Sequence, residues 1–296
     1  MAKRRHCGTM IAYQTLLEKD PGMRARMHAL EHATQKRMMR VRKGPPPIVT
    51  IPVVVHVIFK KPAQNISDAQ IKSQIAVLNK DFRATNGDKS QTPAVWKGLV
   101  TDARIQFKLA SKDPQGKKTN GITRTQTSKN SFPPDDSMKS KSKGGASPWD
   151  TKKYLNIWVC NLADDLLGYA QFPGGPKSTD GVVVTFTGFG TSGAAQAPFN
   201  RGRTTTHEIG HFLNLRHIWG DTEDCAGTDL AGDTPNAAGP NYGKPSFPSI
   251  SCGNAPNGDM FMNYMDYTDD AAMFMFTPRQ VARMRATLEG PRSGLV

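Results

Sequence analysis

Residues 207 to 217 read His207-Glu208-Ile209-Gly210-His211-Phe212-Leu213-Asn214-Leu215-Arg216-His217. On a helix, His207 and His211 share one face and can hold one metal ion together. Glu208 stands beside the first of them, placed to hold a water and take its proton. His217 completes a three-nitrogen set if the chain reverses after His211. Asn214 stands where that reversal must fall, at a position that wants a left-handed backbone; Gly adopts it best and Asn next best. Three imidazoles with one open position describe a catalytic zinc, because structural zinc sites close all four. Thr204 or Thr205 is the expected cap of this helix.

Outward from that run, the chain alternates strands and helices before it and turns loop-rich after it. Ile51 to Phe59 is a Val-rich strand, and its His56 reads as a satisfied core or edge residue rather than a ligand. Ser67-Asp68-Ala69-Gln70 is a capping box, followed by Ile71, Ile75, Leu78 and Phe82 at helical spacing. Ile105–Ala110, Tyr154–Leu162 and Gly181–Phe186 read as further strands, and residues 128–148 as a long surface loop. Thr277-Pro278 opens a last helix with Val281, Met284 and Leu288 on one face. Residues 21–43 have helical character but a poor apolar face, and Gly44-Pro45-Pro46-Pro47 then breaks the chain. The expected organisation is an N-terminal segment (1–45), an upper subdomain ending in the zinc-binding helix (46–217) and a lower subdomain (218–296).

The 296 residues suffice for a sizeable core, and no apolar stretch approaches the roughly 18 residues of a membrane span. The net charge of +14 is spread along the chain without a nucleic-acid motif, so it reads as a solvated surface. No 7–15-residue apolar stretch follows the basic opening, so no standard secretory signal is visible. Four Cys still argue for export. Cys225 and Cys252 flank a long Gly/Asn/Pro-rich loop that a disulfide would restrain, and Cys160 reads as a buried free thiol.

The His207–His217 run resembles the zinc signature of the metzincin metallopeptidases, with Asn214 replacing their usual Gly. Met265 in Asn263-Tyr264-Met265-Asp266-Tyr267 resembles their Met-turn. Leu155–Cys160, Gly168–Pro173, His217–Asp221 and Gly232–Pro235 are similar to the pappalysin-like branch. The resemblance covers roughly residues 48–290. It implies an α+β, two-lobed metzincin-type catalytic domain. The upper lobe would carry a twisted mixed five-stranded sheet and two long helices. The lower lobe would carry the Met-turn and a C-terminal helix.

For the site, the resemblance implies zinc on His207, His211 and His217, Glu208 as general base, and Met265 as an apolar floor beneath the imidazoles. Tyr267 would stabilise the tetrahedral intermediate. Leu167, Gly168, Tyr169 and Ala170 would be the edge strand that pairs with substrate. Asp269 and Asp270 would form a pocket for a basic side chain. Asp221, Asp224, Asp229 and Asp233 stud the loop after the zinc helix, and the resemblance supports calcium there, on Asp229, the Gly232 carbonyl and Thr234. Cys7, in Arg5-His6-Cys7-Gly8-Thr9, would close the open zinc position in a latent form, until cleavage within Lys36–Lys43 releases the N-terminal segment. The expectation is thus a secreted, monomeric zinc endopeptidase acting on proteins or peptides. Two other readings stand beside it: an inactive zinc-containing binding module, which the intact Glu208 disfavours, and a basic nucleic-acid binder, which leaves the zinc signature unexplained.

Overall fold

The computed structural model describes residues 4–40 and 44–296. Its axis is β1 (Val49–Phe59), in which Val53, Val54, Val55 and Val57 are all buried. A strand covered on both faces needs a near-continuous apolar run, and this β-branched stretch supplies one. β4 (Leu155–Cys160) lies parallel on one side of it. On the other side, the first half of β1 pairs with β2 (Ile105–Leu109) and the second half with β3 (Ile122–Gln126), both parallel. β6 (Val182–Thr185) follows β4 in parallel, and β5 (Gly168–Ala170) closes the far edge antiparallel. The mixed sheet is therefore five strands wide but built from six. β3 escaped the sequence reading because it is short, polar and half-exposed.

α3 (Asp68–Asp81) and α4 (Arg203–Phe212) pack together on one face of the sheet. Ile71, Leu78 and Phe82 join Phe107, Phe189 and Ile209 in one buried cluster there. Only half of the expected capping box forms: Ser67 Oγ accepts from the Gln70 amide at 3.1 Å. The Gln70 side chain instead bonds Phe186 O, Phe189 O and the Ala194 amide. On the opposite face Phe132, Met138, Trp158 and Tyr169 form a second cluster. Residues 128–148 are thus not simply a surface loop, because Met138 and Lys139 within them are buried.

Beyond His217 the lower lobe is mostly irregular. It holds a Cys225–Cys252 disulfide, the two-residue strands β7 (Tyr242–Gly243) and β8 (Tyr267–Thr268), and α5 (Pro278–Leu288). Thr277 and Gln280 form a complete capping box at the start of α5. Val281, Met284 and Leu288 bury its apolar face. Cys160 is a buried free thiol.

The N-terminal segment carries α1 (Thr9–Lys19), beside β5, and α2 (Met23–Met38), against α5. α2 buries only Met23, Met27 and Thr34. Its Glu31 pairs with the buried Arg283 at 2.7 Å. Residues 41–43, part of the expected cleavage stretch, lie outside the described residues. No described helix is long and apolar enough to cross a membrane.

Candidate active site

α4 positions His207, Glu208 and His211, all buried. Its start differs from expectation. Gly202, at φ 75°, is the N-cap, and neither Thr204 nor Thr205 caps the helix. Asp270, from the lower lobe, takes that role: its Oδ2 accepts from the Arg201 and Arg203 amides at 2.7 and 3.2 Å. Arg203 then ties the helix to Asp81 on α3 and to the Tyr264 hydroxyl. At the far end Asn214 has φ 70°, the left-handed turn required for the chain to reverse. His217 swings back beneath the helix and stacks on Trp219, ring centroids 4.4 Å apart.

The three imidazoles converge. His211 Nε2 lies 3.1 Å from His207 Nε2 and 3.0 Å from His217 Nε2. Their outer nitrogens fix the tautomers. His207 Nδ1 donates to Tyr264 O at 2.7 Å and His211 Nδ1 to Leu215 O at 2.8 Å. A carbonyl only accepts, so each Nδ1 carries the proton and each Nε2 points a bare lone pair inward. His217 Nδ1 bonds Asp221 in the same manner. Burial holds His207 and His211 well below the usual imidazole range, so protons do not relieve this crowding. Lone pairs facing one another at 3 Å call for a cation between them. Nitrogens around one tetrahedral zinc lie roughly 3.3 Å apart, which fits. The Cys7 sulfur is the fourth member: the four ligand atoms lie within 4.8 Å of one another, all buried. This is the one such cluster among the described residues.

Around it, Met265 lies fully buried below the helix. A Cβ at Gly210 would come within 2.4 Å of the Met265 sulfur, so the floor is in contact with the helix backbone. Tyr267 packs edge-on against His217, centroids 4.9 Å apart, with its hydroxyl 3.5 Å from Cys7 O. Glu208 Oε2 accepts from Thr9 Oγ1 at 3.0 Å and faces Cys7 Sγ at 3.5 Å. Burial pushes the Glu208 carboxyl up to about 8, outweighing those bonds and Arg5.

Residues His6 to Thr9 occupy the open edge of β5. Leu167 N donates to His6 O at 2.9 Å, Gly8 N to Gly168 O at 2.8 Å, and Ala170 N to Thr9 Oγ1 at 2.9 Å. Of the four edge residues, Tyr169 points its hydroxyl away, to Asp136. Arg5 is inserted beside them, 3% exposed. Its guanidinium pairs with Asp270 at 2.7 Å, donates to Thr268 O and Thr204 Oγ1 at 3.1 Å each, and lies over the Phe199 ring. Asp269 sits at the rim, only partly buried.

The loop carboxylates do not converge. Asp221 orients His217, Asp224 accepts from the Ala226 amide, and Asp233 holds Thr277 Oγ1 and the Arg279 amide at the start of α5. Asp229 is buried and bonded to Thr234 Oγ1 at 2.8 Å and the Ala231 amide at 3.0 Å, while Gly232 is exposed. Sequence reasoning missed Arg5, Thr9, Trp219 and the roles of Asp221 and Gly210. Only Gly210 left a signal, as a helix-interior Gly between ligands.

Comparisons with known proteins agree with this geometry. The peptidase M43 family profile, described as pregnancy-associated plasma protein-A, matches residues 139–289. An extracellular metalloprotease of Arthroderma benhamiae is 31% identical over 255 residues, spanning 83% of this chain and 80% of that protein. A Tannerella forsythia promirolysin mutant is 49% identical with a TM-score of 0.91, over 98% of this chain and 97% of that one. Mature mirolysin from the same organism, in complex with a cleaved peptide, is 54% identical with a TM-score of 0.83, over 85% and 96%. The chain therefore belongs to the peptidase M43, pappalysin-like family, and it is a metallopeptidase.

Proposed function

We propose that this metallopeptidase is a zinc endopeptidase in its latent form, with residues 1 to about 45 as the pro-segment. The observation that carries the proposal is the convergence of three inward-facing imidazole lone pairs and the Cys7 sulfur beside Glu208. His207, His211 and His217 would hold the metal. Zinc there supplies Lewis acidity toward a water and toward the scissile carbonyl. Burial and the Glu208 carboxylate push the Cys7 thiol well up in pKa, and a cation among the imidazoles reverses that balance.

Once the pro-segment leaves, Glu208 loses its bonds to Thr9 and Cys7. Glu208, released from Thr9 and Cys7, would take the proton of the attacking water and pass it to the leaving amine. Tyr267, freed from Cys7 O, would donate its hydroxyl hydrogen to the developing oxyanion. Leu167, Gly168 and Ala170 would offer to an extended peptide the backbone groups now taken by His6 to Thr9. Asp270, flanked by Thr268 O and Phe199, would receive a basic substrate side chain where Arg5 now sits; Asp269 would add charge at the rim.

Two facts support latency. Promirolysin matches nearly the whole chain and mature mirolysin 85% of it. The difference approaches the length of the N-terminal segment. Export belongs to the same reading, supported by relatives named extracellular and by a disulfide that oxidising surroundings maintain. So does calcium at Asp229, Gly232 and Thr234, a reading supported by the buried Asp229 carboxylate lying beside Thr234 Oγ1. We infer a monomer acting on protein or peptide substrates, without nucleic acid.

The test is metal content and hydrolysis together. The matured protein should carry one zinc per chain, lose peptide hydrolysis to a chelator and regain it with zinc. Glu208→Gln should keep the zinc and lose roughly 10²–10⁴-fold in rate, the contribution of a general base. An active Glu208→Gln protein, or activity indifferent to the chelator, contradicts the proposal.

A further inference from the structure

The pro-segment carries two consecutive arginines into the cleft, and the protein receives them in two different places. Arg5 turns inward to Asp270, as described. Arg4 stays exposed and lays its guanidinium over the Tyr242 ring, 4.9 Å from the ring centre. Tyr242 is itself 38% exposed, so it is not there to fill a core. Its support is nevertheless firm. Tyr242 pairs with Tyr267 through β7 and β8, and Gly243 O accepts from the Asp269 amide at 2.8 Å. Asn241 anchors the preceding residue, bonding Asp266 through both its amide and its side chain at 2.9 and 3.0 Å.

The aromatic face so presented lines a cavity of about 680 Å³ that continues past Tyr267 and Leu167 to Phe199 in the Arg5 pocket. Asp164 and Asp165 lie on its wall. An electron-rich ring face amid acidic groups suits a cation.

We propose that Tyr242 is the platform of a second cation subsite, adjoining the Asp270 pocket, and that the enzyme selects peptides carrying two consecutive basic residues, one for each site. The inference rests on reading the place of Arg5 as a substrate site. The Arg4–Arg5 pair then acts as an imprint of the preferred sequence, bound where a substrate's own pair binds.

The experiment uses full-length protein matured in solution, with trypsin if it does not mature alone. Matched quenched peptides carry a tandem Arg-Arg, the same pair with either Arg replaced by Ala, or the same pair with either Arg replaced by neutral citrulline. Cleavage positions are read by mass. The tandem peptide should exceed the better single-Arg peptide in kcat/KM by about two- to fivefold, the scale of an exposed cation–π contact. Citrulline in place of the Arg that faces Tyr242 should lose that gain. The tandem-to-single ratio, taken within each enzyme so that general losses cancel, should fall to about one in Tyr242→Ala and persist in Tyr242→Trp. Equal rates for tandem and single peptides, or a preference that survives Tyr242→Ala, overturn the subsite. If neither Arg matters, the Asp270 reading fails first and the second subsite falls with it.

Discussion

Glu208 is held by the segment that also brings Cys7 to the three imidazoles. Thr9 Oγ1 donates to its carboxylate and accepts from the Ala170 amide, so one hydroxyl ties the base to the substrate edge. Cys7 lies beside the three imidazoles. These two contacts differ in kind. A thiolate on zinc is a ligand bond, whereas the Thr9 bond is a charge-assisted hydrogen bond of about 1.5–3 kcal/mol. Cys7→Ala should therefore speed maturation strongly and Thr9→Val more modestly, followed by intact mass. A Cys7→Ala protein that matures no faster than wild type removes the switch. A second residue-scale prediction concerns His56, remote from the metal. It is buried and neutral, bonded to Thr123 Oγ1 and Asn156 Oδ1, and burial lowers it from 6.5 to about 4. Below pH 6.5 the unfolded chain binds a proton that the folded one refuses, so stability falls as pH drops from 6.5 to 4. The loss is at most about 3 kcal/mol. Urea unfolding across that window should show a shallower decline for His56→Gln; identical pH slopes would assign the acid sensitivity elsewhere.

Among the elements, the loop after the zinc helix carries the calcium reading. Asp221, Asp224 and Asp233 are already engaged with His217, a turn and the start of α5. Of the four, Asp229 alone is buried, and its oxygens bond the Ala231 amide and Thr234 Oγ1. A hundredfold excess of calcium over its dissociation constant should raise the Tm of wild type by about 5 °C, and leave Asp229→Asn unmoved. A rise of the same size in both proteins would place the ion elsewhere. The elements differ in how far the sequence showed them. β1, α3, α4 and α5 were legible because each carries a strong period or cap: the Val run, Ser67, the His spacing, Thr277-Pro278. α1 was not, since Gly8 offers no side-chain cap and the helix buries little beyond Thr9. Nor was the cap of α4, because Asp270 reaches it from 67 residues away in the chain. The three His that converge were close in the chain and readable from their spacing. Of the Arg5 pocket the resemblance named Asp270, but not Thr204 and Thr268, which meet it only in the fold.

At the scale of the molecule, the pro-segment runs from the zinc site to the far side of the lower lobe. Arg5 grips Asp270, His6 to Gly8 extend the sheet, and α2 ends its course against α5 through Glu31 and Arg283. On the zymogen proposal, this segment is both inhibitor and first substrate of the site it covers. The measurement is intact mass against time for purified wild type and Glu208→Ala, each incubated with zinc and calcium. Wild type should lose about 40 N-terminal residues while Glu208→Ala stays whole. Wild type that stays whole, or a mutant that processes itself at the same rate, would contradict it.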